Sequence, residues 1–276
     1  MGPVEKALWF IESHFAKDLT LSAIANASGV SCYHLVRVFG IATGYSVMRY
    51  VRSRRLTEAA RALAVGAPDI LSIALDAGYS SHEAFTRAFC AQFGITPKQV
   101  RAQRHLDSIQ LVEPIVMNEN LIVKLESPRI EHADAFLIAG LGERYTFETN
   151  HSIPLLWQRF RPYIGNIPGQ VGAVTYGVCC NSDGAGNFDY IASVEVSCFA
   201  DLPDNFSRLQ IPAQKYAVFS HQNHISSIRN TVYTIWNQWL PESKHHQSKT
   251  PDFERYDERF DPQSGTGVVE IWAPIN

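Results

Sequence analysis

The stretch Leu21-Ser-Ala-Ile-Ala-Asn-Ala-Ser-Gly29 returns as Ile70-Leu-Ser-Ile-Ala-Leu-Asp-Ala-Gly78, and that return decides the fold of the N-terminal part of the chain. Ile24, Ala25 and Gly29 recur 49 positions on as Ile73, Ala74 and Gly78, while Leu35, Arg37, Phe39 and Gly44 recur 50 positions on as Phe85, Arg87, Phe89 and Gly94. One residue has been added in the second turn, and a pattern that tolerates an insertion at its turn is a structural unit. Each copy reads as a short helix with apolar residues turned inward (Leu21, Ile24, Ala25; Leu71, Ala74, Leu75). A glycine then supplies the positive φ of a sharp corner, and a second helix follows. Ser31 and Ser80 are placed to cap that second helix, Ser80 with Glu83 at capping-box spacing. Leu35, Val38 and Phe39, and in parallel Phe85, Ala88 and Phe89, follow the i, i+3, i+4 rule and face the core. Tyr33, Val36 and Arg37, and likewise Glu83, Thr86 and Arg87, are left nearer the outer face, where a recognition helix meets base edges.

Between the copies, Val47 to Ala64 reads as one uninterrupted helix ended by Gly66 and Pro68. A rigid helix of this kind suits two helix-turn-helix units placed in successive major grooves. Thr96-Pro-Lys-Gln99 reads as a cap, a proline at the first helical position and a closing helix to about Gln103.

Residues 1–106 hold 12 Lys+Arg against 7 Asp+Glu, whereas residues 107–276 hold 12 against 20, so the net charge of −3 averages two opposed halves. Only the first half is suited to phosphate. No run approaches the roughly 20 apolar residues of a membrane span, and Met1 to Phe15 reads as an amphipathic helix rather than a signal peptide. The five cysteines (Cys32, Cys90, Cys179, Cys180, Cys198) form no even framework, which fits reduced thiols in the cytosol.

Helical spacing gives way between His105 and Asn120, and from Leu121 the period becomes two. The expected parts are thus a DNA-reading domain over 1–106, an exposed linker over 107–120 and a second domain over 121–276. In the second domain, strands are expected at Leu121-Ile-Val-Lys-Leu-Glu126, Phe136-Leu-Ile-Ala-Gly140, Val171 to Val178 and Asp189 to Val196. Helices are expected at about Ile153–Tyr163 and Ser226–Leu240. The helices repeat each other: Leu156-Trp-Gln-Arg-Phe-Arg-Pro162 matches Ile235-Trp-Asn-Gln-Trp-Leu-Pro241. The fold class that follows is an all-α double helix-turn-helix domain followed by an α+β domain. The latter is built from two strand-helix-strand-strand repeats, with both helices on one face and a groove on the pseudo-twofold axis.

Positions 4 to 105 resemble the DNA-binding domain of the AraC/XylS transcription regulators, nearest the Rob-like subgroup. The likeness rests on Leu21 to Ala25, Tyr50-Val-Arg-Ser-Arg-Arg-Leu56, Ile73-Ala74 with Gly78-Tyr79, and Phe85-Thr-Arg-Ala-Phe89 leading to Thr96-Pro97. It implies a monomer that binds a bipartite, asymmetric site in double-stranded promoter DNA, with base contacts at Tyr33, Val36, Arg37, His82, Glu83, Thr86 and Arg87. Phosphate contacts are expected at Ser31, Ser80, Ser81 and Lys98. Val36 and Glu83 stand where relatives of this subgroup often have glutamine, so the recognised sequence is expected to differ. Activation through RNA polymerase is implied by the same resemblance.

Residues 121 to 276 resemble the GyrI-like small-molecule-binding domain, on the Trp helices, Tyr216-Ala-Val-Phe219, Trp239-Leu-Pro-Glu-Ser243, Pro251 to Tyr256 and Glu270 to Ile275. In the last strand, alternation puts Glu270 and Trp272 on one face. A carboxylate beside an indole suits an amphipathic cation. By the resemblance Glu270 is the effector-binding acid, with Trp272, Tyr176, Tyr190, Trp157 and Trp236 as walls. Trp157 and Trp236, at helical spacing, also read simply as core. His245-His246 lacks partners at ligand spacing and reads as surface histidines, and Gly184-Ala-Gly186 as a hairpin turn. No metal site, cofactor or catalytic triad is expected. The expectation is a cytoplasmic activator modulated by a small effector. The alternatives are a GyrI-like hydrolase using Glu270 as a base, or a sequestering binder of cationic or electrophilic molecules.

Overall fold

The computed structural model describes residues 1–276 apart from Pro68, Ser108, Asn118, Glu119, Asn120 and Gly184. Helices α1 (Pro3–His14), α2 (Leu21–Ser28) and α3 (Cys32–Thr43) form the first helix-turn-helix unit, and α5 (Ile70–Asp76) and α6 (His82–Phe93) the second. Between them runs α4 (Val47–Ala64), and α7 (Pro97–Gln103) closes the region. Gly29 ends α2 with φ of 74°, and Gly78 turns the second corner with φ of 82°, the positive values the sharp turns require. Ser31 caps α3 by accepting from His34 N at 3.1 Å, and Ser81, not Ser80, caps α6 by accepting from Ala84 N at 3.2 Å. The residue added in the second turn therefore lies between Gly78 and Ser81, and the cap moves one place with it. Leu71 and Leu75 are exposed, whereas Ala74 is buried and Ile73 half-buried, so the inward face of α5 is one position out from the expected one.

The C-terminal half is one antiparallel sheet of eight strands. They are β1 (Arg129–Ala133), β2 (Phe136–Thr146), β3 (Gln170–Cys180), β4 (Asn187–Val196), β5 (Ser207–Ile211), β6 (Gln214–His221), β7 (Asp252–Asp261) and β8 (Thr266–Pro274). The order β1-β6-β8-β7-β3-β4-β2-β5 is symmetric about the β7–β3 pair, so the duplicated unit is present with one addition. Each unit begins with a short edge strand that joins the other unit, β1 on β6 and β5 on β2. Helices α8 (Ile153–Phe160) and α9 (Ile228–Thr234) belong one to each unit, and α9 continues as a π-helical turn over Ile235–Trp239. The alternating segment 121–126 forms no strand and pairs with none among the described residues; Leu121 and Leu125 pack onto the core instead, and Val123 N donates to Thr234 Oγ1.

One face of the sheet carries both helices. Leu156 and Phe160 of α8 pack on Ala139, Tyr190, Ala192 and Val194, while Tyr233 and Trp236 pack on Ala217, Phe219, Ile271 and Ala273. The other face curls around its own core of Ile138, Tyr176, Val178, Tyr216, Val218 and Phe253.

The cores do not follow the expected division at residues 107–120. The core that holds Trp236 and Ile271 also holds Val4, Ala7, Ile24, Leu35, Phe39 and Tyr50, so the first helix-turn-helix unit and the second half of the sheet share one apolar interior. The second unit has its own, around Leu56, Leu63, Ala74, Phe85 and Phe89. The linker is strapped down rather than free. Val112 N donates to Thr57 Oγ1 at 3.1 Å, Ile115 N to Tyr50 Oη at 3.1 Å, and Arg54 Nη1 to Val112 O at 2.9 Å.

Candidate functional site

The strip of sheet between α8 and α9, where the groove is expected, is floored by β3 and β7, the two strands on the symmetry axis. Along β7 the pleat sends Phe253 into the far core and leaves Asp252, Glu254 and Tyr256 on the helix-bearing face. Glu254 accepts hydrogen bonds from Tyr190 Oη at 2.7 Å and Tyr256 Oη at 2.8 Å, and Trp157 Nε1 donates to Tyr190 Oη at 3.0 Å. The Trp157 and Tyr256 rings meet edge to face at 5.2 Å between centroids. Gly177 lies opposite Glu254 in the β3–β7 register, and a Cβ there would sit 2.0 Å from Tyr190 Oη; glycine is what admits the phenol to the carboxylate. Burial pushes the Glu254 carboxyl up, and the two phenols only partly offset it. Among the described residues no ion pair reaches Glu254.

Glu270 has the opposite surroundings. It is 3 % exposed and does sit beside its indole, Trp272 Nε1 donating at 3.2 Å. Its oxygens, however, are taken by Arg129 at 3.0 Å, Arg259 at 2.8 Å and Arg255 at 3.4 Å. Burial works against its charge, but hydrogen bonds from Arg259 and Arg129 outweigh that and hold the carboxyl below its ordinary range. Glu270, Trp272 and Tyr176 point away from the helices: Tyr176 belongs to the far core, and Trp272 packs against it, stacked on Phe253 at 5.3 Å. The cluster is a satisfied ionic one, with no place for an incoming cation. Of the expected walls, Tyr190 and Trp157 are in the groove, and Trp236 lies fully buried at its other end. The sequence reading missed Asp252, Glu254 and Tyr256. The alternation that paired Glu270 with Trp272 applies equally to Asp252-Phe-Glu-Arg-Tyr256 and would have grouped them.

The two helices expected to read DNA differ in access. On α6, His82, Glu83 and Arg87 are exposed and Thr86 half-buried; Ser80 and Lys98 are exposed as well. On α3 the outer face is covered by the C-terminal half. Arg37, 8 % exposed, makes a two-pronged ion pair with Asp252, Nη1 to Oδ1 at 2.6 Å and Nη2 to Oδ2, and its guanidinium lies 5.1 Å from the centroid of Trp236. Burial disfavours the Arg37 charge and Asp252 more than restores it. His34 Nε2 lies 2.6 Å from Trp236 O, and burial lowers its pKa to about 4. Phe147 packs on Gly40, where a Cβ would come within 2.0 Å of its ring. Arg229 donates to Ile41 O at 2.6 Å and Ala42 O at 3.2 Å, meeting carbonyls of the last turn of α3. Val36 is buried, and Tyr33 has Arg37, Asp252, Ser182 and Cys179 around it. Ser31 remains exposed at the N-terminus of α3.

Among the described residues no group of three His, Cys, Asp or Glu side chains is placed to hold a metal, the five cysteines are unbonded, and no helix is long and apolar enough to cross a membrane. His246 is exposed and His245 stacks on Trp239; of the Gly184 to Gly186 turn, Gly184 lies outside the described residues.

Residues 126–276 match the GyrI-like small molecule binding domain, and residues 24–103 match a helix-turn-helix domain. The right origin-binding protein of Escherichia coli is 26% identical over 279 residues, covering 98% of this chain and 95% of its own. Transcriptional regulator BrlR of Pseudomonas aeruginosa is 34% identical over 149 residues, 53% of this chain and 54% of that protein. A solved bacterial transcription regulation protein from Staphylococcus aureus has a TM-score of 0.45 at 18% identity, covering 55% of this chain and 99% of its own. With an AraC-type reader ahead of it, this chain belongs to the GyrI-like family in the Rob-like arrangement.

Proposed function

We propose that this transcription regulator takes a lipophilic cation at Glu254 and converts its binding into a change in promoter occupancy. The observation that carries the reading is the Glu254 carboxylate itself. It lies on the axis of a groove, hydrogen-bonded by two phenols, ringed by aromatic side chains and without an ion pair among the described residues. An acid so placed gains most from a cation that sheds little water on entry, and an aromatic face adds roughly 0.5–2 kcal/mol of cation–π attraction. On the DNA side, the basic first half and the exposed Arg87 support binding of promoter DNA by a monomer at a bipartite site, and activation through RNA polymerase follows the family pattern. The hydrolytic alternative placed on Glu270 loses its base, because that carboxylate is committed to three guanidinium groups.

Calorimetric titration of the full chain with tetraphenylphosphonium and with neutral triphenylphosphine oxide tests the effector reading. The expected result is preference for the cation, lost at least tenfold in Glu254→Gln while affinity for the neutral compound holds. Equal losses for both would leave Glu254 a structural residue. Selection of bound duplexes from a random pool tests the DNA reading, through the spacing of the two half-sites recovered.

A further inference from the structure

The groove has a second acid that the effector reading leaves unused. Asp252 lies two residues from Glu254 on the same face of β7, roughly 6–7 Å along the strand. It holds a guanidinium in the geometry a ligand would use: two parallel N–H to O bonds, with an indole face beside the cation. The guanidinium is that of Arg37, the side chain expected to read bases from α3. An arginine fork in that register offers guanine O6 and N7 the same two donors that Asp252 now takes. The arrangement also has a built-in cost. Arg37 Nε and Trp236 Nε1 are buried with no hydrogen-bond partner among the described residues, and undocking relieves both.

We propose that the Asp252–Trp236 end of the groove is a guanidinium subsite occupied by Arg37. The major groove of DNA and the effector groove then compete for one side chain, and an effector bearing an aryl amidinium or guanidinium group releases α3 by taking its place. With α3 docked, the first unit cannot enter a major groove, because Val36 is buried, Arg37 lies under Trp236 and Asp252, and Gly40 lies under Phe147. Only α6 presents a free reading face. The ligand half of the proposal rests on the effector reading at Glu254; the competition for Arg37 does not.

The test is fluorescence anisotropy of the full chain on a duplex selected by the wild type. Without ligand, Asp252→Asn and Arg229→Ala are each expected to raise DNA affinity at least threefold, since apparent affinity is scaled by the fraction of molecules with α3 free. Arg229→Ala is the safeguard: it loosens the end of α3 from an exposed position and leaves no buried charge unpaired, so it decides the matter if Asp252→Asn fails to fold. Unchanged or weaker DNA binding by a folded variant overturns the competition. With ligand, a bis-benzamidine is expected to raise DNA affinity of the wild type and leave Asp252→Asn unaffected. Tetraphenylphosphonium, which has no N–H donors for Asp252, is expected to bind and to raise DNA affinity at least threefold less than the bis-benzamidine does. An equal rise with both compounds, or none with the bis-benzamidine, overturns the subsite. Failure of tetraphenylphosphonium to bind at all would sink the Glu254 reading, while the ligand-free comparison would still stand.

Discussion

Gly177 and Glu254 face each other across the β3–β7 pair, and the missing side chain of one is the space in which the other meets Tyr190. A Cβ on residue 177 would stand 2.0 Å from Tyr190 Oη and 2.6 Å from Glu254 Oε2, so neither group keeps its place. Gly177→Ala is therefore expected to lower affinity for tetraphenylphosphonium at least tenfold. Overpacking in addition costs about 1–3 kcal/mol of stability, read by denaturant titration. Retained cation affinity would mean that the phenol–carboxylate contact plays no part in binding.

Cation binding should depend on pH through Glu254. Its carboxyl is raised above the ordinary carboxylate range, and a bound cation favours the ionised form. Affinity is thus expected to be greatest on the alkaline side of that raised value and to fall as pH drops through it, at a higher pH than an exposed glutamate would produce. The groups facing it are Asp252 with Arg37, Cys179, Tyr190 and Tyr256, whose thiol and phenols are pushed up and stay neutral across this range. His34, at about 4, charges only below it. Titrations from pH 4.5 to 8, about the useful span for carboxylates, check the direction; affinity that rises on acidification would remove Glu254 from the site.

Glu270→Gln should act on stability rather than on ligand. The change leaves three arginines without their shared counter-charge. Because those arginines are between 28% and 49% exposed, solvent screens much of the loss. A cost of about 1–3 kcal/mol is expected, well below that of a fully buried broken pair. Cation affinity within twofold of wild type is expected alongside it. A selective loss of cation binding would return the effector site to Glu270.

Arg87→Ala and Arg37→Ala should differ. Arg87 is exposed on α6, so its loss is expected to relax preference at one half-site by about 1–3 kcal/mol, with folding intact. Loss of Arg37 strands the buried Asp252 carboxylate and should also lower the melting temperature. Selection of bound sequences from both variants, with melts in parallel, separates the two; a normal site preference in Arg87→Ala would remove α6 from base readout.

Much of this architecture was legible because it repeats. The 49-to-50 offset located both helix-turn-helix units and the inserted residue, and the Trp157 and Trp236 helices located the two halves of the sheet. Local signals gave α4 to the residue, since Val65 caps it and Gly66 comes next. The signals failed where a choice between faces depends on a partner far along the chain. Glu270 and Glu254 both alternate with aromatic neighbours; only the packing of Arg129 and Arg259 onto one, and of Tyr190 onto the other, separates an acid clamped by arginines from one held by phenols alone. The covered face of α3 was illegible for the same reason. Tyr33, Val36 and Arg37 carry the pattern of a reading helix whether the opposing surface is DNA or Asp252.

The apolar interior shared by α1, α3 and the strands β6 and β8 has a consequence for modularity. By sequence, the natural place to cut this chain is the linker, and a graft of residues 121–276 onto another reader would look like a clean exchange of sensors. Such a graft would arrive with Trp236, Phe219 and Ile271 uncovered, a face fitted to Val4, Ile24 and Phe39. The unit that can be transplanted intact is larger than the sensor and includes half of the reader, with its seam inside α4. Functional swaps between relatives should tolerate a junction within that helix better than one after it.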